Sequence, residues 1–408
     1  MTLYPLYIDP GTGSMLFSIF FGAAATLYFL VRALIIKMKV AVSGGKGSSS
    51  AWTYVVYSEG NQYWNVFKPV LDAFEKRGTA LLYLSSSGTD PFFSQSYRHI
   101  KGEFIGEGNR AFARLNLLSA RVLLMTTPGL DVYQLKRSKS VGHYAHILHA
   151  PGDATMYRLF GIDYFDSVLL TGGYQAQDIR TLEKQRGLPE KELVTVGCGY
   201  LDEYAKRIRE FPREEGRPFT VLVSPSWGKS ALLSKYGAGL LDPLVKEGWL
   251  IIVRPHPQSK KSEAAVLDRL ALRYREAANL EWDYERENIR SLARADIMIS
   301  DFSGIIFDYM FLFDKPVMYV KGEVDLRPYD AGDFEDAGEL WQFRVLREAG
   351  VELGEDFGSI CAAIRGAADN PELKAARRRA REEAWQYPGE AGERTADFMI
   401  RAAEEHNV

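Results

Sequence analysis

From Ala51 onward, short apolar runs alternate with longer amphipathic stretches. Apolar runs of about five residues are typical of buried strands, and amphipathic stretches, such as Asn65–Arg77, are typical of helices. The strands predicted in the first half are Thr53–Tyr57, Ala80–Leu84, Val122–Thr126, Ala145–His149, Val168–Thr171 and Leu193–Val196. This alternation predicts a parallel sheet with helices on both faces.

A charged segment with two prolines, Arg209–Pro218, interrupts the pattern and is typical of an interdomain linker. A second set of predicted strands follows: Phe219–Val223, Leu250–Val253, Asp296–Ile299 and Pro316–Val320. Charged helices are expected near Pro371–Glu383 and Gly392–Glu405. We therefore expect an α/β fold of two facing, doubly wound Rossmann-like domains, 51–210 and 219–386, with a helical tail at 387–408. The cleft between the domains would hold the site.

The segment Met15–Ile36 is apolar enough, and long enough as a helix, to cross a bilayer. Arg32 is its only charge, and Lys37, Lys39 and Lys46 follow it, whereas no basic residue precedes it. The positive-inside rule then predicts a single-pass protein of the cell membrane with a cytoplasmic catalytic part. The expected order is an extracytoplasmic stretch at 1–14, a transmembrane helix at 15–36 and a linker at 37–50. The alternative is a buried or interfacial helix.

Composition narrows the functional classes. A formal net charge of -3 and an isoelectric point near 6.2 argue against a dedicated nucleic-acid binder. The only two cysteines, Cys198 and Cys361, lie far apart without partners at metal-ligand spacing. They fit a reducing compartment and argue against a zinc site.

The turn Arg254-Pro255-His256-Pro257 directly follows the predicted strand Leu250–Val253. Proline donates no ladder hydrogen bond, so the strand ends there and presents a guanidinium and an imidazole at the carboxyl edge of the sheet. Arginine matches phosphate oxygens, and histidine exchanges a proton near neutral pH. The alternative is a strand-end turn with a structural histidine.

Two more loops leave the same edge. Ser300–Gly304 leads into a predicted helix whose first N–H groups, near Ser303 and Gly304, are suited to an anion. Asp301 is expected to orient a loop donor or a ribose hydroxyl, and the alternative is a plain cap with Ser303 as the capping residue.

The loop Ser224–Ser230 supplies Ser224, Ser226, Gly228 and Lys229, which suit a phosphate, although the spacing is not that of a Walker loop. Trp227 either stacks on a base or covers the core.

In the first domain, the strand Ala145–His149 ends in a histidine and a Pro-Gly turn. His143, His146 and His149 are spaced by three, which suggests a metal site. Residues three apart on a strand, however, point to opposite faces. We expect no metal site, His149 at the cleft, and His143 and His146 in structural or peripheral positions.

Several segments together resemble the CDP-glycerol glycerophosphotransferase family, the teichoic-acid polyol-phosphate transferases with a glycosyltransferase-B-like fold. The matching segments, spread between Ala145 and Phe398, are Tyr164–Leu170, Gly187–Pro189, Val196–Asp202, Arg254–Pro257, Ser300–Asp308, Asp314–Val320 and Tyr387–Arg394. The family's first histidine motif commonly reads H-G-T-P, whereas this chain has His149-Ala150-Pro151-Gly152.

The resemblance implies that His149 and His256 are the two catalytic histidines. It implies donor contacts from the three carboxyl-edge loops and from Arg394 in the closing motif; the expected set is Arg254, Ser224, Ser226, Gly228, Ser300, Asp301, Ser303, Gly304 and Arg394. The acceptor would lie in domain 51–210 and the nucleotide donor in domain 219–386.

The implied reaction moves a polyol phosphate, glycerol phosphate first, from a CDP-activated donor to a hydroxyl of a lipid-linked or surface-polymer acceptor and releases CMP. His149 would act as general base, and His256 would donate a proton. No cofactor and no metal are expected. Two alternatives remain: a sugar-nucleotide glycosyltransferase of cell-surface polysaccharide synthesis, and a non-catalytic scaffold of the same fold.

Overall fold

Two parallel sheets contain the strands that the sequence predicts. The computed structural model describes residues 26–28, 31, 51–211, 216–285, 287–301, 303–320, 322, 324–334 and 339–405. The first sheet contains β1 (Trp52–Ser58), β2 (Leu81–Ser85), β3 (Ile100–Phe104), β4 (Ser119–Met125), β5 (Ser140–Ile147), β6 (Ser167–Leu170) and β7 (Glu192–Thr195). The second contains β8 (Thr220–Val223), β9 (Leu250–Val253), β10 (Leu280–Trp282), β11 (Ile297–Ser300), β12 (Val317–Val320) and β13 (Val351–Leu353).

The strand orders of the two sheets are β3-β2-β1-β4-β5-β6-β7 and β10-β9-β8-β11-β12-β13, and every described pairing is parallel. Both orders reverse direction beside their first strand, between β1 and β4 and between β8 and β11. Ligands of doubly wound sheets bind at this switch point, outside the carboxyl ends of the strands. The expected α/β fold with two Rossmann-like domains is confirmed.

Helices connect the strands and cover both faces. Those of the first half are α1 (Trp64–Lys76), α2 (Asn109–Leu115), α3 (Gln175–Arg186) and α4 (Gly199–Ile208). Those of the second half are α5 (Leu232–Lys235), α6 (Gly237–Lys246), α7 (Ser259–Ser262), α8 (Ala264–Arg273), α9 (Ile289–Arg294), α10 (Ile305–Phe313), α11 (Trp341–Ala349), α12 (Ile360–Ala368), α13 (Pro371–Ala384) and α14 (Ala391–Glu405).

Each sheet is buried on both faces, which explains its continuous apolar strands. On β1, Val55 faces one hydrophobic core and Val56 the other. The second core also takes Phe67 of α1 together with Phe398 and Met399 of α14. The last helix therefore packs against the first sheet, although it follows the second sheet in the chain.

The carboxyl edges of the two sheets face each other. The segment that follows β5 meets the segment that follows β12: the amide of Asp330 donates to the Tyr157 carbonyl over 2.9 Å. The carboxylate of Asp153 accepts from the amides of Trp341 and Gln342 at the start of α11, at 2.8 and 3.0 Å. Both segments leave carboxyl ends of strands, so these contacts join the carboxyl edges of the two sheets.

The predicted membrane segment, Met15–Ile36, lies outside the described residues except for Thr26–Tyr28 and Val31, which are helical. Among the residues that the structure does describe, no helix combines the length and apolarity that a membrane span requires. Part of the predicted interdomain linker, 212–215, is likewise outside them.

Candidate active site

His149 lies two residues beyond the end of β5, at the carboxyl edge of the first sheet. Its Nδ1 atom is 3.2 Å from the Tyr157 hydroxyl and 3.4 Å from the Thr126 hydroxyl. The ring of Tyr63 packs edge-on against the imidazole, with centroids 5.4 Å apart. Burial lowers the pKa of His149, so the ring is neutral at pH 7. A neutral imidazole fixed through Nδ1 leaves Nε2 to exchange a proton.

His146 reaches the same tyrosine from the strand itself. Its Nε2 atom is 3.1 Å from the Tyr157 hydroxyl, which therefore stands between two imidazoles. His146 is fully buried, and burial lowers its pKa to about 3. Its Nδ1 atom has no hydrogen-bond partner among the described residues. A permanently neutral His146 is a suitable acceptor for the Tyr157 hydroxyl, which in turn can accept the Nδ1 proton of His149.

Of the two positions expected for His146, structural or peripheral, the structure shows the structural one, and it lies nearer His149 than the strand spacing indicates. Residues three apart diverge only while both are on a strand, and β5 ends at Ile147, so the turn brings His149 back toward His146. His143 does stay apart: its Nε2 lies 2.9 Å from the Ser167 hydroxyl, and its ring contacts Phe398. In the described part of the chain, no group of three or more potential metal ligands was found.

Asp301 joins two of the three loops at the carboxyl edge of the second sheet. One carboxylate oxygen accepts from the Ser226 amide at 2.8 Å, and the other accepts from the Leu232 amide at 2.9 Å. The loop after β11 thereby fixes the loop after β8 on the other side of the switch point. Of the two roles expected for Asp301, this contact is that of orienting a loop.

Ser300 and Arg254 take supporting positions, which differ from the direct donor contacts expected of them. The hydroxyl of Ser300 is fully buried and donates to the Ser224 carbonyl. The guanidinium of Arg254 is about nine-tenths buried and is bound by the Asp283 carboxylate and the Glu285 carbonyl. Both side chains therefore hold the loops in place from the interior of the domain. The sequence pattern does not reveal the partners that bind them.

The other residues predicted to bind the donor lie in the same loops. Ser226 has a buried hydroxyl without a hydrogen-bond partner among the described residues. Gly228 adopts a φ of +103°, which a residue with a Cβ rarely adopts. Gly304 caps α10 without a side-chain hydrogen bond, and Ser303 precedes it partly exposed, so Ser303 is not a capping side chain. The amides of Ile306 and Phe307 donate to the carbonyls of Ser303 and Gly304 at 3.2 and 3.1 Å, so an anion at this helix start would meet the N–H groups that precede them.

His256 stands at the end of β9 with a defined tautomer. The amide of Gln258 donates to its Nδ1 atom over 3.1 Å, so the neutral ring carries its proton on Nε2. Burial lowers the pKa of His256, while the carboxylates of Glu263 and Asp301 oppose this shift. Trp227, half exposed, lies beside the ring at 6.3 Å between centroids. His256 can therefore donate a hydrogen bond through Nε2 even without a positive charge.

A cavity of about 190 Å³ opens beside Asp301 at the carboxyl edge of β11 and β12. Val320 and Phe343 give it an apolar lining, and Arg347, paired with Glu339, stands at its rim. A flat ring with polar substituents suits such a lining.

Arg394 is not brought to these loops by any described contact. It belongs to the first turn of α14, where its guanidinium stacks on Tyr387 at 3.5 Å and pairs with Glu390 at 3.4 Å. Arg394 thus lies on the helix that packs against the first sheet.

Sequence reasoning missed Tyr157, Thr126 and Asp283. Thr126 and Asp283 each directly follow a strand, β4 and the short β10, and Tyr157 stands in an irregular stretch after β5. Their roles depend on which loops meet in space, and no signal in a single sequence reports this.

Comparison with known proteins adds a family to this geometry. The model of the family described as "CDP-Glycerol:Poly(glycerophosphate) glycerophosphotransferase" matches residues 202–349. The match covers less than half of the chain. Over residues 202–349 it confirms the resemblance inferred from the motifs and the class of phosphotransferase that the resemblance implies. The matched segment contains all three carboxyl-edge loops of the second sheet.

Solved structures show the same architecture. The wall teichoic acid polymerase TagF superposes with a TM-score of 0.55 at 15% identity, over 86% of this chain and 89% of that chain. A putative UDP-N-acetylglucosamine 2-epimerase from Listeria monocytogenes gives a TM-score of 0.59 at 11% identity, over 88% and 98% of the two chains. A UDP-GlcNAc 2-epimerase from Methanocaldococcus jannaschii gives 0.54 at 12%, over 86% and 99%. At these identities the likeness concerns the fold alone. No curated protein matches the chain significantly.

Proposed function

We propose that this protein transfers a polyol phosphate, with glycerol phosphate as the first candidate, from a CDP-activated alcohol to an acceptor hydroxyl and releases CMP. The observation that carries the proposal is the family match over 202–349, since the loops bearing His256, Asp301 and Ser226 all lie in that segment. The acceptor is proposed to be a lipid-linked or surface-polymer alcohol.

The donor is assigned to the carboxyl edge of the second sheet. Its diphosphate lies against the start of α10 and the loop around Ser226, where the helix dipole and the unpaired Ser226 hydroxyl favour negative charge. Its cytidine part occupies the cavity beside Asp301. His256 donates a hydrogen bond from Nε2–H to a phosphate oxygen of the donor.

The reaction is an in-line displacement at the distal phosphorus of the donor. The acceptor oxygen forms the new P–O bond, the bond to the CMP oxygen breaks, and CMP leaves with the bonding electrons. Nε2 of His149 removes the proton of the attacking hydroxyl, while Nδ1–H donates to Tyr157 and holds the ring in the required tautomer. His256 stabilises charge on the phosphoryl or leaving oxygen.

The membrane is part of the proposal. The apolar segment 15–36, followed by basic residues, would hold the catalytic part at the cytoplasmic face, where a lipid-linked acceptor is concentrated. If this is right, alkaline carbonate will leave the full chain in the membrane pellet. Its release into the supernatant would remove the anchor from the proposal.

Replacement of the two histidines tests the mechanism. His149→Ala and His256→Ala should each lower turnover of CDP-glycerol by about 10² or more, the usual effect of losing an acid–base group. His99→Ala is the matched control, because His99 is exposed at the opposite, amino edge of the first sheet. Near-wild-type rates of CMP release in either site variant, with unchanged thermal unfolding, would remove that histidine from the mechanism.

A further inference from the structure

A polar cavity of about 300 Å³ opens at the carboxyl edge of the first sheet, outside the groups assigned so far. Its polar lining comes from the segments that follow β1, β2 and β3 and comprises Glu59, Asn61, Gln62, Ser86, Ser87 and Glu107. Its volume lies at the lower end of the range of about 300–1,000 Å³ that is usual for small-molecule sites.

The cavity adjoins the switch point of this sheet, and one of its lining segments runs directly into a residue that contacts His149. Its lining segment Glu59–Gln62 follows β1, which forms one side of the switch point. The next residue, Tyr63, packs its ring against His149. The cavity lining is therefore continuous along the chain with a residue that contacts His149.

The walls of the cavity are tied together by hydrogen bonds between the loops. The hydroxyl of Tyr57, at the end of β1, lies 2.9 Å from the Ser86 hydroxyl beyond β2. The side-chain amide of Asn61 donates to Thr89 over 3.2 Å, and Thr89 also contacts the Ser87 hydroxyl at 3.2 Å. Because these contacts cross from one loop to the other, the shape exists without a ligand.

The charged groups that line this cavity are all carboxylates. Its lining includes the carboxylates of Glu59 and Glu107 but no Lys, Arg or His. Among the described residues, neither carboxylate has an ion-pair partner, and Arg110, which packs on Gly106, does not line the cavity. A phosphate would be repelled here, whereas carboxylate and amide oxygens accept the hydroxyl protons of a sugar or polyol.

We propose that this cavity binds the acceptor and selects an uncharged, hydroxyl-rich end, such as a neutral sugar or polyol unit. The inference rests on the proposed function, for which it names the class of acceptor. It also has a consequence for repeated transfer. Once the acceptor ends in glycerol phosphate, its new phosphate meets Glu59 and Glu107, so the first transfer is favoured over the next.

Two acceptors that differ only in charge test the selection. The probes are an alkyl glycoside with a neutral terminal sugar and the same glycoside carrying a terminal glycerol phosphate. With CDP-glycerol as donor, the full-length protein should show a kcat/KM at least about tenfold higher for the neutral probe, as expected from repulsion by two carboxylates. A preference for the phosphorylated probe would overturn the inference.

The double variant Glu59→Gln/Glu107→Gln keeps the shape and removes the charge. It should raise KM for the neutral probe about tenfold, because the hydrogen bonds to the probe become weaker. The ratio of kcat/KM between the neutral and the phosphorylated probe should fall, and KM for CDP-glycerol should stay unchanged. The control is Glu190→Gln, an exposed glutamate before β7 at the opposite edge of the sheet. An unchanged KM for the neutral probe in the double variant would contradict the inference.

A binding measurement without donor separates this inference from the proposed function. Saturation-transfer NMR should show the neutral glycoside bound to the wild-type protein and released in the double variant. If no CDP-alcohol is turned over but this difference is present, the proposed function fails and the cavity assignment stands. If CDP-glycerol is turned over and the wild-type protein and the double variant bind the glycoside equally, the cavity assignment fails. It also fails if the wild-type protein binds the glycoside only in the presence of Ca²⁺ or Mg²⁺.

Discussion

Tyr157 connects two histidines with different tasks. Its hydroxyl lies within 3.2 Å of both His149 Nδ1 and His146 Nε2, and its own pKa is raised well above the usual value by burial. The tyrosine therefore stays protonated and acts as a neutral link. As a positioning residue it holds His149 in the tautomer that a base at Nε2 requires.

The variant Tyr157→Phe removes this link with little change in volume. We expect kcat/KM to fall about tenfold, which is about 1.4 kcal/mol, within the range for one hydrogen bond. Because burial already lowers the pKa of His149, the acid limb of the pH–rate profile should lie below the ordinary histidine value of about 6.5. Loss of the Tyr157 acceptor makes the imidazolium harder to form, so the limb should move to still lower pH.

Tyr164→Phe is the control for this variant, since Tyr164 is largely exposed. A pH–rate profile of Tyr157→Phe that overlays the wild-type profile would show that the tyrosine has only a packing role.

At the scale of single elements, the loop after β8 owes its shape to the loop after β11. Asp301 accepts from the amides of Ser226 and Leu232 with different oxygens. The variant Asp301→Asn keeps one acceptor and turns an NH₂ group toward the other amide. We expect a loss of about 1–3 kcal/mol in the free energy of unfolding and a KM for CDP-glycerol raised about tenfold.

Thermal unfolding and donor kinetics of Asp301→Asn check both effects, with the exposed Asp369→Asn as control. A changed stability with an unchanged donor KM would mean that this loop does not contact the donor.

The sequence predicted elements well where burial is complete. Leu250–Val253 has its predicted bounds, and the other predicted strands are shifted by a few residues at most, except that β5 begins at Ser140 and not at Ala145. The missed strands β3, β10 and β13 share the opposite character: β3 and β10 are partly exposed edge strands, and β10 and β13 have only three residues each. A short edge strand carries no continuous apolar run, so its pairing depends on the neighbouring strand.

The positions of the site loops could be predicted from the sequence, but the partners of their side chains could not. Proline and glycine after an apolar run correctly placed the loops at the carboxyl edges, because a strand cannot continue through such residues. The partners of Arg254 and Ser300 could not be predicted, since Asp283 and Ser224 reach them across neighbouring strands. The acceptor cavity was missed because its residues come from three separate loops.

At the scale of the whole molecule, an arginine bridges the two facing edges. Arg186, at the end of α3, binds Asp163 at 2.8 Å and Asp330 at 2.7 Å, and it also reaches Asp333 at 2.6 Å. The Asp330 carboxylate is fully buried, and burial raises its pKa even though Arg186 opposes the shift. Together with the contacts of Asp153, this bridge holds the carboxyl edges of the two sheets together.

The variant Arg186→Met leaves the buried carboxylates without their cation. We expect a loss of about 3–5 kcal/mol in the free energy of unfolding at pH 7. The pKa of Asp330 then rises further, so the folded state binds a proton that the unfolded state does not bind above the usual value of 3.8. The stability of the variant should therefore increase as the pH is lowered from 7 toward 5.

Chemical denaturation at the two pH values measures this dependence. Arg275→Met is the control, because its ion pair with Glu276 is exposed and contributes little. If the free energy of unfolding of Arg186→Met at pH 7 equals that of Arg275→Met, Arg186 does not act as a structural bridge.

The central claim is that a phosphate-bearing alcohol, and not a bare sugar, is transferred. Its most direct test is mass spectrometry of the product formed when the full-length protein is given a neutral lipid-linked acceptor with a panel of CDP-alcohols and nucleotide sugars. The account predicts that the acceptor gains one polyol phosphate unit, that CMP appears in equal amount, and that nucleotide sugars are not consumed. An acceptor that gains a bare sugar, with release of a nucleoside diphosphate, would contradict it.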